Sequence, residues 1–233
     1  MVTPEEIERV DVMYGPFSAA YPGNSAGAVV DYVTRMPTEL EAHVSAGFSS
    51  QPYALYNTRD TFNSWQTSAS LGSKSGDWSW WIDLNHTDSQ GQPQTFTTAT
   101  MASGVPGGGG VPVTGYVRGL NTTNQPWYIL GTGTQYHTVQ DHAKLKLAYD
   151  FSGTVRATYT LGWWQNSSEG RSESYLRNAA GQPVYTGPVN IEGQRYNLAP
   201  TAFPLTDDSQ THYMHGLSVK SRTGGTWDWE VAA

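Results

Sequence analysis

After residue 37 the chain falls into runs in which every second residue is apolar, joined by connections that are alternately very short and very long. In a strand, successive side chains point to opposite faces, so each run predicts a strand with one oily and one polar face. Ala42, Val44, Ala46 and Phe48 share a face, as do Trp65, Ala69 and Leu71. Trp78, Trp80, Ile82 and Leu84 oppose Ser79, Trp81, Asp83 and Asn85. Ala143, Leu145, Leu147 and Tyr149 oppose His142, Lys144, Lys146 and Ala148. Val155, Ala157, Tyr159, Leu161 and Trp163 oppose Arg156, Thr158, Thr160 and Gly162, and "YMHGLSVK" and "WDWEV" repeat the scheme more weakly. About seven strands result. Short turns at 73–77, 150–153 and 223–225 alternate with long irregular segments near 50–63, 89–138 and 168–210. Tight turns at one end and extended loops at the other are the pattern of an antiparallel transmembrane β-barrel.

The aromatic residues agree. Trp78, Trp80, Trp227 and Trp229 follow short turns and Tyr149 precedes one, whereas Trp65 and Trp163 lie at the opposite strand ends. Two aromatic belts with smaller apolar residues between them suit the two interfaces of a membrane. The alternative is a soluble all-β sandwich or barrel, whose large aromatics belong near strand centres.

Composition narrows the function. The chain carries 13 Lys and Arg against 20 Asp and Glu, a net charge of −7, and its basic residues are scattered, which excludes nucleic acid as a partner. It has no cysteine, hence neither disulfides nor thiolate metal sites. No run of 18 apolar residues exists for a spanning helix, yet a mean hydropathy of −0.49 is compatible with barrel strands, which need apolar residues only at alternate positions. "MVTPEEIERV" has neither the basic nor the apolar region of a secretory signal, so an exported form is expected to begin elsewhere.

Residues 1–37 have a different texture. "IERVDVMYGPFSAAYPGNSAGAVVDYVTR" reads as a strand at 7–13, a turn, a small-residue passage and a second strand at 28–35. This stretch resembles the end of the plug domain of TonB-dependent outer-membrane receptors. Ile7, Glu8, Arg9, Val12, Gly15, Pro16, Ser18, Tyr21, Gly27, Val29 and Thr34 match that family's motif in order, with Asp11 and Arg35 as conservative replacements. Tyr14 stands where the family carries an arginine of a plug–barrel charge cluster, leaving Glu8 and Arg9 as its charges. The resemblance implies a plug portion at 1–37 and the first part of a barrel at 38–233. It implies structural or coupling roles for Glu8, Arg9, Gly15, Pro16, Gly23, Gly27 and Arg35. The family's barrel has roughly 22 strands, so about seven make a partial wall with open edges, expected to be an internal fragment that does not fold stably alone.

The resemblance also implies active transport across the bacterial outer membrane. A small-molecule or glycan ligand (an iron–siderophore first, otherwise cobalamin, another metal chelate or an oligosaccharide) would be bound and imported with energy from the TonB complex. Outer-membrane lipid is the other partner, and no cofactor and no catalysis are implied. Trp127 and Tyr128 in a long loop, and Trp164 on the polar face, are candidate ligand platforms through stacking, the competing role being packing against plug or loops. Trp81 shares that ambiguity. His137 and His142 fall on opposite strand faces, which opposes a shared metal. Asp228 and Glu230 share a face and would serve a soluble carbohydrate-binding protein or glycosidase, the first rival. A passive porin-like barrel is the second.

Overall fold

The computed structural model describes residues 2–14 and 27–233. It is all-β, with β1 Ile7–Tyr14, β2 Ala28–Thr34, β3 Glu41–Leu55, β4 Thr58–Ser75, β5 Trp78–Gln90, β6 Phe96–Thr100, β7 Val105–Pro106 and β8 Val111–Pro112. There follow β9 Val117–Leu120, β10 Pro126–Thr132, β11 Gln135–Ser152, β12 Val155–Arg171, β13 Gly187–Ile191, β14 Gln194–Leu198, β15 Thr206–Ser221 and β16 Glu230–Ala232. Two single-turn 3₁₀ helices lie at Pro4–Glu6 and Met101–Ser103. No helix among the described residues is long and apolar enough to cross a membrane.

Seven strands form the main sheet, the wall, in the order β16-β15-β12-β11-β5-β4-β3. Every neighbour is antiparallel, and the seven are those read from alternation. The sheet is open, with β3 and β16 at its edges. Its register gathers the oily positions into continuous rows. Ala42, Leu71, Ile82, Leu145 and Leu161 are successive partners across five strands, and so are Val44, Ala69, Leu84, Ala143, Trp163 and Tyr213 across six. Towards the short turns the rows end in aromatics, where the Trp78 ring lies 4.8 Å from Tyr149 and Tyr149 lies 4.9 Å from Phe151. Two residues beyond the Leu84 row, at the other end, the same face becomes polar: Thr67, His86, Asp141, Gln165 and Thr211 are partners. The band leaves large apolar residues such as Val44, Ile82 and Leu84 exposed on one face of the sheet. On β12 the band covers Val155 to Trp163, nine residues, the length that a tilted spanning strand needs, about 9–11.

The long loops differ from expectation. Residues 50–63 are not irregular: β3 and β4 continue as paired strands through them and meet at Tyr56 and Asn57. Above the band neither face of this hairpin is apolar, so no alternation marks it. The segments near 89–138 and 168–210 fold together into a cap. One sheet of the cap is β6-β10-β9, the other β7-β14-β13-β8, and β8 and β7 from the first segment pair with β13 and β14 from the second. Val113, Tyr128, Leu130, Leu176, Val189, Ile191, Tyr196, Leu198 and Phe203 form its hydrophobic core. At Gly110 the glycine run 107–110 passes the backbone at residue 188, where a Cβ would come within 2.8 Å of the Pro188 carbonyl. Gly110 also has a φ of +84°, so only glycine serves there. The β3–β4 tip is tied to the cap through Asn57 Nδ2, which donates to the Gly115 carbonyl at 2.7 Å, and through Tyr56 stacked edge-on to Phe96.

Before the wall, β1 and β2 form an antiparallel two-stranded hairpin. Gly15, Pro16 and Gly23 lie outside the described residues. Gly27, with φ +108°, leads into β2 in a conformation that disfavours a side chain.

Candidate functional site

The polar face of the wall is covered near its middle by residues 2–6, and buried charge holds them there. The Pro4–Glu6 turn starts at Thr3, whose backbone N–H donates to Glu6 Oε1 at 3.0 Å, so the Glu6 side chain folds back and points at the wall. Glu6 is only 1% exposed. Its carboxylate pairs with Lys144 through Oε1, and Lys146 Nζ lies 3.5 Å from Oε2. Lys144 and Lys146 are same-face neighbours on β11, so their two ammonium groups converge on one carboxylate. Lys146 also donates to Thr34 Oγ1 at 2.9 Å and to the Arg35 carbonyl at 3.1 Å, which ties the end of β2 to the same point. Thr3 Oγ1 donates to Asp83 Oδ2 at 2.9 Å, and His142 Nδ1 is 3.7 Å from Asp83 Oδ1. Removing several charges from water costs several kcal/mol each, so such a cluster holds only while its partners are complete.

Arg35 completes the attachment. Its guanidinium makes a fork to Glu41 at 2.9 and 2.6 Å and lies 5.4 Å from the Trp81 ring centroid. Hydrogen bonding to Glu41 raises the Arg35 pKa above its ordinary value. Trp81 is thereby buried against the N-terminal segment and Gly72, where a Cβ would come within 2.6 Å of the indole. It packs and does not stand open to a ligand.

Towards the long-loop end, beyond this attachment, is a cleft of 530 Å³ lined by Thr3, Gln66, Asn85, His142, Trp164 and His212. The Trp164 and His212 rings are 5.3 Å apart and tilted by 38°. His142 Nε2 is buried without a hydrogen-bond partner. Amide, imidazole and indole groups line the cleft, and no Lys, Arg, Asp or Glu does. Such a surface suits stacking and neutral hydrogen bonding.

The predicted site residues separate. Arg35 is in the attachment. Glu8 is exposed and lies below it, lining a cavity at the short-turn end with Lys146 and Arg156. Arg9 pairs with Asp11 on its own strand at 3.0 Å, in solvent. The charges paired with the wall include Glu5, which lies 3.3 Å from His43 Nε2, together with Glu6 at Lys144 and Lys146, and Arg35 at Glu41, whereas Glu8 and Arg9, the expected pair, are exposed. On β1, Glu8 and Arg9 belong to a hairpin that is tied to the wall at its Thr34 end. Trp164 lines the cleft, while Trp127 and Tyr128 are in the cap. Tyr128 is 3% exposed, stacks on Tyr116 and Tyr196 and donates to Glu192 Oε2 at 2.8 Å, so its ring belongs to the core and presents no face to a ligand. Burial and the Glu192 carboxylate raise its pKa. Trp127 is half-buried over Gly119.

His137 pairs with Asp88 at 2.8 Å on the oily face, away from His142, and no group of three or more metal-ligating residues occurs among the described residues. Asp228 accepts from the Thr223 N–H at 2.7 Å and from its hydroxyl at 3.0 Å, and Glu230 pairs with Lys220 at 2.7 Å. Each carboxylate closes its own turn or strand pair. Sequence reasoning missed Glu6, whose signal was the demand for a counter-charge made by Lys144 and Lys146 on one polar face.

Over 38 residues, 16% of this chain, the sequence is 47% identical to the ferric enterobactin receptor PirA of Pseudomonas aeruginosa. That stretch spans 5% of the receptor's length. No family profile matches the chain, and no solved structure matches it.

Proposed function

We propose that the chain is the inner-segment end and first wall strands of a TonB-dependent outer-membrane receptor, which binds a scarce ligand and imports it without chemical change. The observation that carries this reading is the inverted sheet. One face is an exposed apolar band edged by aromatics towards the short turns, and the opposite face holds a separate N-terminal segment through buried charge. A soluble sandwich places its apolar face inside, and a porin has no N-terminal plug. The local likeness to a ferric enterobactin receptor supports an iron–siderophore ligand. In this reading Glu6, Lys144, Lys146, Arg35 and Glu41 hold the inner segment until the energy complex pulls on it, and the cleft at Trp164 and His212 lies on the ligand's side of that attachment. The receptor works by binding and by displacement of the segment, with no catalytic group.

The test is to express the gene's full product with its own export signal, isolate outer membranes and compare gel mobility before and after heating. Uptake of labelled iron chelates, cobalamin and oligosaccharides is then measured in cells with and without TonB. A heat-shifted outer-membrane band with TonB-dependent uptake of one class supports the proposal. A soluble product with unshifted mobility overturns it.

A further inference from the structure

The cleft at Trp164 borders a wider field of the polar face that carries almost no charge. Successive partners across five strands form the row Ser68, Asn85, His142, Trp164 and His212, and the next row towards the long loops is Gln66, Thr87, Gln140, Asn166 and Gln210. The row after that holds four hydroxyls, with Asp208 at its β15 end. Asp208 is the one Asp, Glu, Lys or Arg in these three rows. Charge is not scarce nearby. Asp83 and Lys144 are partners one row towards the short turns on the same face, and Asp88 and Asp141 lie at the same height on the opposite face. The neutral field is therefore a property of this face and height, not of the composition of the strands.

We propose that the cleft holds a sugar ring, uncharged and rich in hydroxyls, stacked on the Trp164 and His212 pair, either as a free saccharide or carried on an iron chelate. A pyranose offers a flat C–H face to an indole and hydroxyls around its rim to amides and imidazoles. An anion would lose its water here with no lining cation to offset the cost. Thr87 Oγ1 donates to Asn85 Oδ1 at 3.3 Å, which orients that amide and leaves its N–H groups as donors, and the Gln66 amide is exposed at the rim. The volume of 530 Å³ falls within the range of small-molecule sites, about 300–1,000 Å³. From His142 to His212 the row spans two strand spacings, about 10 Å, room for more than one ring. This site deepens the transport reading and rests on it for the ligand's route, while binding is read on the purified protein.

The test is calorimetric titration of the full-length protein in detergent micelles with maltotriose, cellotriose and mannotriose, and with trigalacturonate as an anionic counterpart. The expected result is a Kd of about 1 mM or tighter for a neutral trisaccharide, at least ~10-fold tighter than for trigalacturonate. Trp164→Ala should weaken that binding at least ~10-fold while heat-shifted gel mobility is kept. Gln66→Lys, at an exposed position on the cleft's rim, should tighten trigalacturonate binding at least ~10-fold. No neutral trisaccharide bound by the unmodified protein overturns the proposal. So does undiminished binding in Trp164→Ala, and so does trigalacturonate bound as tightly as the neutral sugars. Cells separate the two sources: TonB-dependent uptake of labelled trisaccharide marks a free sugar, and iron-chelate uptake blocked by excess trisaccharide marks a carried one. Iron-chelate uptake with no saccharide bound overturns the sugar site alone and leaves the transport reading standing. Saccharide binding by a protein that fails the membrane test supports the site and overturns the transport reading.

Discussion

In the cap, Leu130, Leu176, Val189 and Ile191 are each 1% exposed or less, while in the wall Val44, Ile82 and Leu84 stand 79%, 40% and 50% exposed. Apart from Phe62, Trp81 and Ala148, the buried wall side chains are of the other kind, among them Ser70, Ser79, Asp83, Lys144 and Lys146, with Glu6 brought in from outside the sheet. One chain thus carries two opposite solutions to burial. The cap is stabilised as proteins in water are, by removing apolar side chains from solvent at about 1.5–3 kcal/mol each. The wall is held by its ladder and by paired charge on one face, and its apolar face gains nothing until an apolar solvent covers it.

The difference can be broken at its strongest point by Glu6→Gln. Losing one partner of a buried ion cluster costs about 3–5 kcal/mol, so residues 2–6 and 34–36 should become open to protease while the cap stays resistant. Glu6→Gln combined with Lys144→Met should recover part of the loss. Equal exposure in the single and double variants would show that charge is not what holds the segment. The opposite test is Leu176→Ala, expected to cost about 2–5 kcal/mol and to open fragments 113–130 and 176–198 to hydrogen exchange, with exchange in β11 and β12 unaltered.

Leu84→Arg sharpens the comparison, because its sign depends on solvent. Folding into lipid vesicles should lose about 2–4 kcal/mol, the cost of an arginine at the middle of a bilayer, read as a lowered denaturant midpoint. A half-exposed leucine in water would give a change near zero, and that result would remove the membrane reading of the band. The smallest effect is expected from pH. Arg118 Nε donates to Glu192 at 2.8 Å, and with Tyr128 and Tyr116 it holds the carboxyl below its ordinary value of 4.5. A depressed carboxylate adds stability that is complete above its unfolded pKa and is lost as pH falls through the lower folded one. Cap protection, measured against the intrinsic exchange rate at each pH, should therefore fall in acid, below about pH 4.5, and Glu192→Gln should flatten that fall. An unchanged acid profile in the variant would take Glu192 out of the cap's stability.

Strand number and facing in the wall were legible because period two survives wherever the two faces of a sheet differ in polarity. The Leu84 row and the Trp78–Tyr149 belt follow directly from parity. Cap strands were not legible: they are two to seven residues long, broken by Pro106, Pro112 and Gly110, and buried without alternation. Their core residues lie up to 90 positions apart, as Val113 and Phe203 do, and no local pattern marks such a pairing. The hairpin at 50–63 was hidden because its contacts are isolated: Thr58 and Phe62 are buried against their neighbours, with polar, exposed residues between them. Glu6 was hidden because its burial depends on lysines 138 and 140 positions away.

The cap is assembled from three stretches of chain: the β3–β4 tip, residues near 91–134 and residues near 172–205. Recombination between relatives cannot exchange one of these loops by itself, since β8 of one segment completes β13 of another and Asn57 must still find the carbonyl at 115. Variation in this outer surface should therefore be inherited in linked blocks, with changes in one loop carried alongside matching changes in the next.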